Sequence, residues 1–160
     1  MKSVKSILVV DDDKDIREFL ISFLTDLNYK VIEASSAEEA IEKFNALGAD
    51  LVISDMVMGE MGGLDLLDKL YAIDEEIAFL LITGYPSIDT AVKAIKKGAF
   101  DYITKPFNIA DMQIRIEKAL ETQEMKRRLK KTRGLIVGLV FSIPVWIILG
   151  IVAALFFYRK

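Results

Sequence analysis

The sequence predicts an α/β fold, a doubly wound parallel sheet of five strands with helices on both faces. Three observations predict it. Short apolar runs and amphipathic helical stretches alternate strictly from residue 6 to about 122. The central runs are almost continuously apolar, as strands covered on both faces are. The runs also end in residues capable of chemistry: Asp11 and Asp12, Asp55, Thr83 and Lys105. Ligands of parallel sheets bind at such carboxyl ends.

Residues 6–10 read as the first strand. Asp13 or Asp15 caps the helix that follows, in which Ile16, Phe19, Leu20, Phe23, Leu24 and Leu27 fall at helical spacing. Asn28 is its terminator, and Tyr29 to Ala34 alternates as a more exposed second strand. Ser35 or Ser36 caps the next helix, with Glu38 and Glu39 in its first turn and Ala37, Ala40, Ile41 and Phe44 as its apolar stripe. Gly48 closes that unit. The third strand is 50–54, followed at Asp55 by a loop containing Gly59, Gly62 and Gly63. A short helix follows, marked by Leu64, Leu67 and Leu70. Ile77 to Ile82 is the fourth strand, and Ser87 caps a helix over 88–97 with Ala91, Val92 and Ile95 expected inward. Phe100 to Thr104 is the fifth strand. A last amphipathic helix begins near Asn108 or Asp111, with Ile109, Met112, Ile116 and Ala119 as its apolar positions.

Composition removes several classes of function. With neither Cys nor His, the chain has no disulfide, thiolate or imidazole chemistry. No G-x-G-x-x-G follows a strand, and no glycine-rich run ends in Gly-Lys, so dinucleotide and P-loop nucleotide sites lack their signatures. The start, MKSVKSILVVDDD, is not a signal peptide, which leads us to expect a cytoplasmic beginning. The net charge of −3 conceals an asymmetry: residues 1–120 carry 13 Lys+Arg against 22 Asp+Glu, and residues 121–160 carry 8 against 2. The acidic part argues against a nucleic-acid surface.

If the first and third strands are parallel neighbours, the carboxylates of Asp11, Asp12 and Asp55 converge. Such a set calls for a cation, and hard oxygen ligands suit Mg²⁺. Asp55 closes a central strand and is the best nucleophile toward phosphorus. Chemistry alone leaves Asp11 against Asp13 open. Lys105 offers a positive charge and Thr83 a hydroxyl to phosphoryl oxygens; taken singly, the bland readings are a surface lysine and a helix-capping threonine. The expected chemistry is phosphoryl transfer to a carboxylate, with metal and lysine neutralising transition-state charge.

With these residues in view, the sequence resembles the receiver domain of bacterial two-component response regulators, nearest the receivers of nitrogen-regulation-type transcriptional activators. The resemblance covers about 4–122 and rests on VVDDD at 9–13, SDMVMGEMGGLDLL at 54–67 and LITGYPSIDTAVKAIKKGAFDYITKPF at 81–107. It implies a flavodoxin-like sheet of order 2-1-3-4-5 and a phospho-receiver rather than an enzyme with a separate substrate. By position it implies Asp55 as acceptor of phosphate from a histidine kinase or phosphotransfer protein. It implies Asp12 as direct Mg²⁺ ligand, Asp11 acting mostly through water, and the Val57 carbonyl as third protein ligand. Lys105 matches the family lysine, before a cis bond to Pro106, Thr83 the switch hydroxyl, and Tyr102 the aromatic that moves with it. A homodimer through helix 4, strand 5 and helix 5 is a further implication. Gly59 departs from the family, which usually has proline there, and loosens the loop without removing a ligand.

The carboxyl-terminal part prompts a separate expectation. Residues 125–133, MKRRLKKTR, hold six basic residues, and 134–158 hold no charged side chain. As a helix, 134–158 would rise about 37 Å, enough for a hydrocarbon layer of about 30 Å. The organisation read from the sequence is therefore a receiver over 1–122, a basic juxtamembrane linker or helix extension over 123–133, and a transmembrane helix over 134–158. With the basic flank held inside, the lipid bilayer becomes a partner. The protein is then expected to be a single-pass inner-membrane phospho-receiver with its receiver in the cytoplasm. The competing reading is a membrane-anchored scaffold module that acts through protein contacts without phosphorylation.

Overall fold

The computed structural model describes residues 4–158; beyond Lys130, side chains are described only at Thr132, Ile151 and Tyr158. The chain divides into two compact units, Met1–Gln123 and Glu124–Lys160.

The first unit contains five strands, β1 (Ser6–Val10), β2 (Lys30–Ala34), β3 (Leu51–Asp55), β4 (Ala78–Thr83) and β5 (Asp101–Thr104). All are parallel and lie in the order β2-β1-β3-β4-β5, as expected. Between them run α1 (Lys14–Asp26), α2 (Ala37–Leu47), α3 (Gly63–Ile73) and α4 (Ile88–Lys96), and α5 (Ile109–Tyr158) follows β5.

Successive strand residues point to opposite faces, and two cores result. On one face Leu8, Val10, Val52, Phe79 and Leu81 pack with Ala40 and Phe44 of α2, Leu66, Leu67 and Leu70 of α3, and Ala94 of α4. On the other, Ile7, Val9, Leu51, Ile53, Leu80 and Ile82 pack with Leu20 and Leu24 of α1 and Met112, Ile116 and Ala119 of α5. β3 and β4 are buried along their whole length, which explains their unbroken apolar sequences.

Helix ends follow local chemistry. The Asp13 carboxylate accepts from the Asp15 and Ile16 amides at 2.9 and 3.3 Å and so is the cap of α1. Ser36, not Ser35, caps α2 through the Glu39 amide, while Glu39 reaches back to the Ser35 amide. Asn108 caps α5 through the Ala110 and Asp111 amides. Asn28 ends α1 with φ 62°, a left-handed conformation that asparagine tolerates.

Two side-chain expectations are corrected. Val92 and Ile95 of α4 are exposed, and Ala94 is its one buried residue. Around the helix Ala94 lies about 160° from Val92, about 120° from Ile88 and about 100° from Ile95, so the small residue faces the sheet while the branched ones are turned away from it. Ile109 is likewise half exposed at the mouth of α5.

The carboxyl-terminal expectation is also corrected. Among the described residues no helix is long and apolar enough to cross a membrane. Residues 134–158 are not an element of their own but part of α5, which carries four acidic and eight basic residues between Asp111 and Arg133. Apart from Ile151 and Tyr158, the side chains of 134–158 lie outside the described residues. The transmembrane helix, the bilayer as partner, the single-pass inner-membrane placement and the tethered form of the function go with that correction.

Gly63 sets how closely α3 approaches the end of β3. A Cβ there would lie 2.3 Å from the Asp55 carbonyl oxygen and 2.7 Å from Leu81 Cδ2, whereas one at Gly59 would meet nothing within 4 Å. Gly63→Ala should therefore cost about 1–3 kcal/mol of stability, as overpacking does, and Gly59→Ala should be close to neutral. Denaturant unfolding of the two variants checks this; an undisturbed Gly63→Ala protein would show that α3 is not in close contact there.

Candidate phosphoacceptor site

Parallel strand ends bring together residues far apart in sequence. Lys105, just past β5, places its ammonium 2.5 Å from Asp55 Oδ1 and 3.0 Å from Asp11 Oδ2. The two carboxylates belong to β3 and to the loop after β1, which are neighbours in the sheet. Asp11 is 2 % exposed and Asp55 7 %. The position of Lys105 is fixed by its own amide, which donates to the Thr83 carbonyl at 2.7 Å, and the Lys105–Pro106 bond is cis.

Each carboxylate is held at both oxygens. Asp55 Oδ2 accepts from the Val57 amide at 2.7 Å, and Asp11 Oδ1 from the Asp13 amide at 2.9 Å. Burial pushes the Asp11 carboxyl above its ordinary value and the Asp55 charge adds to that, against the hydrogen bonds from Lys105 and the Asp13 amide and the charge of Lys105. Burial alone would lower Lys105, but its bonds to Asp55 and Asp11 and their charges outweigh it and raise the ammonium above its ordinary value.

The other expected residues fall as follows. Asp12 is exposed, beside Asp11. Val57 is exposed at the surface of the loop after β3. Thr83 is fully buried, and its hydroxyl accepts from the Tyr85 amide at 3.1 Å. Tyr102 lies on β5, its hydroxyl 2.9 Å from that of Thr90 on α4. Thr90 is in turn 2.8 Å from the capping Ser87 hydroxyl and donates to the Ser87 carbonyl at 3.0 Å. The aromatic is thus tied to the cap of α4. Sequence reasoning missed Thr90, for which no signal beyond helix capping existed. It also missed Arg17, which reads as an ordinary helix-surface arginine although its guanidinium donates to the Asp11 carbonyl at 2.8 Å.

Among the described residues no group of three or more His, Cys, Asp or Glu is arranged to hold a metal ion. The donor set nevertheless suits a hard divalent cation. Two buried carboxylates share a single ammonium, and a third carboxylate, Asp12, stands next to them in sequence, leaving net negative charge at the sheet edge. Beside Lys105 lies a groove of about 450 Å³ lined by Asp15, Ile16, Phe19, Pro106, Phe107 and Ile109.

Comparison with known proteins decides the family. The model of the response regulator receiver domain matches residues 7–117. The chain belongs to the response regulator receiver family. It is 40 % identical over 114 residues to the transcriptional regulatory protein ZraR of Escherichia coli K12, covering 71 % of this chain and 26 % of ZraR. A receiver domain protein from Clostridium thermocellum superposes with a TM-score of 0.72 at 33 % identity, over 76 % of this chain and 98 % of the other. The beryllofluoride-activated NtrC4 receiver domain dimer gives 0.72 at 33 % identity, over 75 % and 99 %. The chain spans about a quarter to a third of the length of the curated relatives it matches. Receiver domains are regulatory modules that gain and lose a phosphoryl group on an aspartate, not enzymes acting on a separate substrate, and their phosphorylation depends in general on Mg²⁺.

Lys105 compensates two buried carboxylates, so Lys105→Met should lose about 3 kcal/mol at neutral pH, as removal of one partner of a buried pair does. The signs fix the pH dependence. Lys105 is raised above 10.5, so its stabilisation is complete below that value and is lost as pH rises through its folded-state pKa. Asp11 is raised above 3.8, so its contribution is present below that value and is lost as pH rises through its folded-state pKa. The deficit of Lys105→Met should therefore shrink on going from neutral to acidic pH, as the raised Asp11 carboxyl takes up a proton. Denaturant unfolding at both pH values measures it.

Proposed function

We propose that the chain is the phospho-receiver of a two-component signalling system, with Asp55 as the acceptor. The observation that carries the reading is the shared contact of the Lys105 ammonium with Asp55 and Asp11 at the edge of a receiver sheet. A carboxylate oxygen of Asp55 attacks the phosphorus of a phosphohistidine or small acyl phosphate. The new P–O bond forms as the P–N or P–O bond to the donor breaks, and the departing group keeps the electron pair. Lys105 can follow the added charge onto a phosphoryl oxygen, and the Thr83 hydroxyl can donate to another. Asp11, Asp12, Asp55 and the Val57 carbonyl are the residues that would hold Mg²⁺, which when bound neutralises phosphoryl charge. The donor is a histidine kinase or phosphotransfer protein, for which the groove beside Lys105 offers an apolar seat.

Uptake of charge at Asp55 alters what Thr83 bonds to, and the Tyr102–Thr90 contact is the route by which that change reaches α4. The exposed Ile88, Val92 and Ile95 of α4 give a surface whose presentation would change, and it suits a second copy or another protein. The unphosphorylated scaffold reading is disfavoured because a module working by contacts alone has no need of a buried, lysine-compensated carboxylate pair.

Incubated with acetyl phosphate, the protein should take up phosphate only with Mg²⁺, and Asp55→Asn should abolish uptake. Undiminished labelling of that variant would remove Asp55 from the acceptor role. Saturation with beryllofluoride should break the Tyr102–Thr90 hydrogen bond, seen as a shift of the Tyr102 ring resonances, and Thr90→Val should produce part of that shift without the mimic. Ring signals that stay put in both experiments would disconnect Tyr102 from the site.

A further inference from the structure

The acidic loop after β1 is held from behind by a side chain that takes no part in the chemistry above. Arg17, one turn into α1, donates from Nη1 to the Asp11 carbonyl at 2.8 Å. That oxygen belongs to the peptide joining Asp11 to Asp12. Its Nε lies 3.6 Å from Glu33 Oε2 on β2, and the arginine side chain is only 15 % exposed, unusual for a helix-surface arginine. The main-chain carbonyl of Glu33 accepts from Lys43 of α2 at 2.8 Å, which ties this point of β2 to α2, and Lys43 is 2.7 Å from Glu39. Glu39 also accepts from the Ser35 amide and hydroxyl, both at 2.7 Å. Its carboxyl is held at about 2 by the Lys43 and Ser35 hydrogen bonds, so its ion pair with Lys43 is charged throughout the neutral range.

The rest of Asp11 is already committed. Its amide donates to the Ala34 carbonyl at 3.3 Å, Oδ1 takes the Asp13 amide, and Oδ2 takes Lys105. Asp12 has no such fixing of its carboxylate among the described residues. The plane of the peptide that precedes it is what sets the direction in which it leaves the loop, and Arg17 is the side chain that holds that plane.

We infer that Arg17, aimed by Glu33, is a positioning residue for Mg²⁺ binding: it orients Asp12 through the Asp11–Asp12 peptide. The inference rests on the phospho-receiver reading above. It resembles the way outer-shell partners orient metal ligands, where their loss typically costs 10–100-fold in affinity. Arg17 touches neither phosphoryl group nor ion, so its loss should act on metal affinity and not on the transfer step once the ion is bound.

The test is Mg²⁺ titration of the full chain by calorimetry, alongside the Mg²⁺ dependence of phosphate uptake from acetyl phosphate. Arg17→Met should raise the Mg²⁺ Kd by about tenfold, with the maximal uptake rate restored at saturating Mg²⁺. Glu33→Gln, on a half-exposed side chain whose replacement leaves the fold intact, should shift Kd in the same direction by a smaller factor and add nothing in the Arg17→Met background. Arg17→Lys, which keeps one donor, should fall between wild type and Arg17→Met. An unchanged Kd in Arg17→Met and in Glu33→Gln overturns the inference, as does a fall in maximal rate at unchanged Kd. If the wild-type chain itself binds no Mg²⁺, the metal assignment falls together with the inference; wild-type binding with unaltered variants sinks the inference alone.

Discussion

The structure depends on one electrostatic constraint: two carboxylates, nearly out of contact with water, compensated by a single ammonium. Burying Asp11 and Asp55 without a counter-charge would cost several kcal/mol each, and Lys105 supplies that charge across 50 and 94 residues of sequence. Its placement demands that β1, β3 and β5 all end at the same level. The sheet delivers this because parallel strands joined by right-handed crossovers put every carboxyl end on one edge. The amide of Lys105 on the Thr83 carbonyl then binds β5 to β4 at the same level, so the backbone that places the ammonium also carries the buried hydroxyl.

That compensation leaves the site in surplus of negative charge, and the surplus is what makes it chemical. One cation cannot balance Asp11, Asp55 and the nearby Asp12, so a further positive charge is favoured, and under the proposed function an arriving phosphoryl group would meet a lysine able to follow it. The apolar body of the domain serves this end directly. β3 and β4 are sealed between two cores, and α3 starts so close to β3 that Gly63 admits no side chain. β3 ends at Asp55, and the loop with Gly59 begins immediately beyond it.

Much of this was legible in the sequence, for definite reasons. Strand runs and helix caps are local signals, so β1 to β5 and the Ser36, Asp13 and Asn108 caps lay within reach of periodicity and capping chemistry. Asp11, Asp12, Asp55, Thr83 and Lys105 were visible because each closes a strand. Which way α4 turned was not legible: Val92 and Ile95 are more apolar than Ala91 and Ala94, and apolarity alone would have buried them. The structure reverses that order, with Ala94 buried and Val92 and Ile95 exposed. The 134–158 stretch shows a related limit. Its apolarity invited reading it as an element of its own, whereas it belongs to α5, whose charged part begins far earlier.

Arg17 and Thr90 escaped for another reason. Their roles are relations between elements, set by distances that no single stretch of sequence encodes. Arg17 sits beside Ile16 in a helix whose side chains lean toward the amino terminus, so an arginine one turn in reaches back over the loop it follows. That geometry is general, but its consequence arises only because β2 brings Glu33 alongside and the loop carbonyl of Asp11 faces it. Thr90 likewise becomes more than a capping partner only because β5 presents the Tyr102 hydroxyl to it. In both cases a residue with an unremarkable local purpose is recruited by a neighbour in the sheet. The acidic loop is thereby braced from α2 through β2 to α1, while the aromatic of β5 is tied to the cap of α4. The loop side is held by charged contacts, and Tyr102 is held to α4 by hydroxyl contacts, while α4 itself is anchored by Ala94 in the core and by the Lys97–Asp68 ion pair. Neutral hydrogen bonds contribute about 1 kcal/mol each, less than those to charged groups, so the Tyr102–Thr90 contact is the weaker of the two ties.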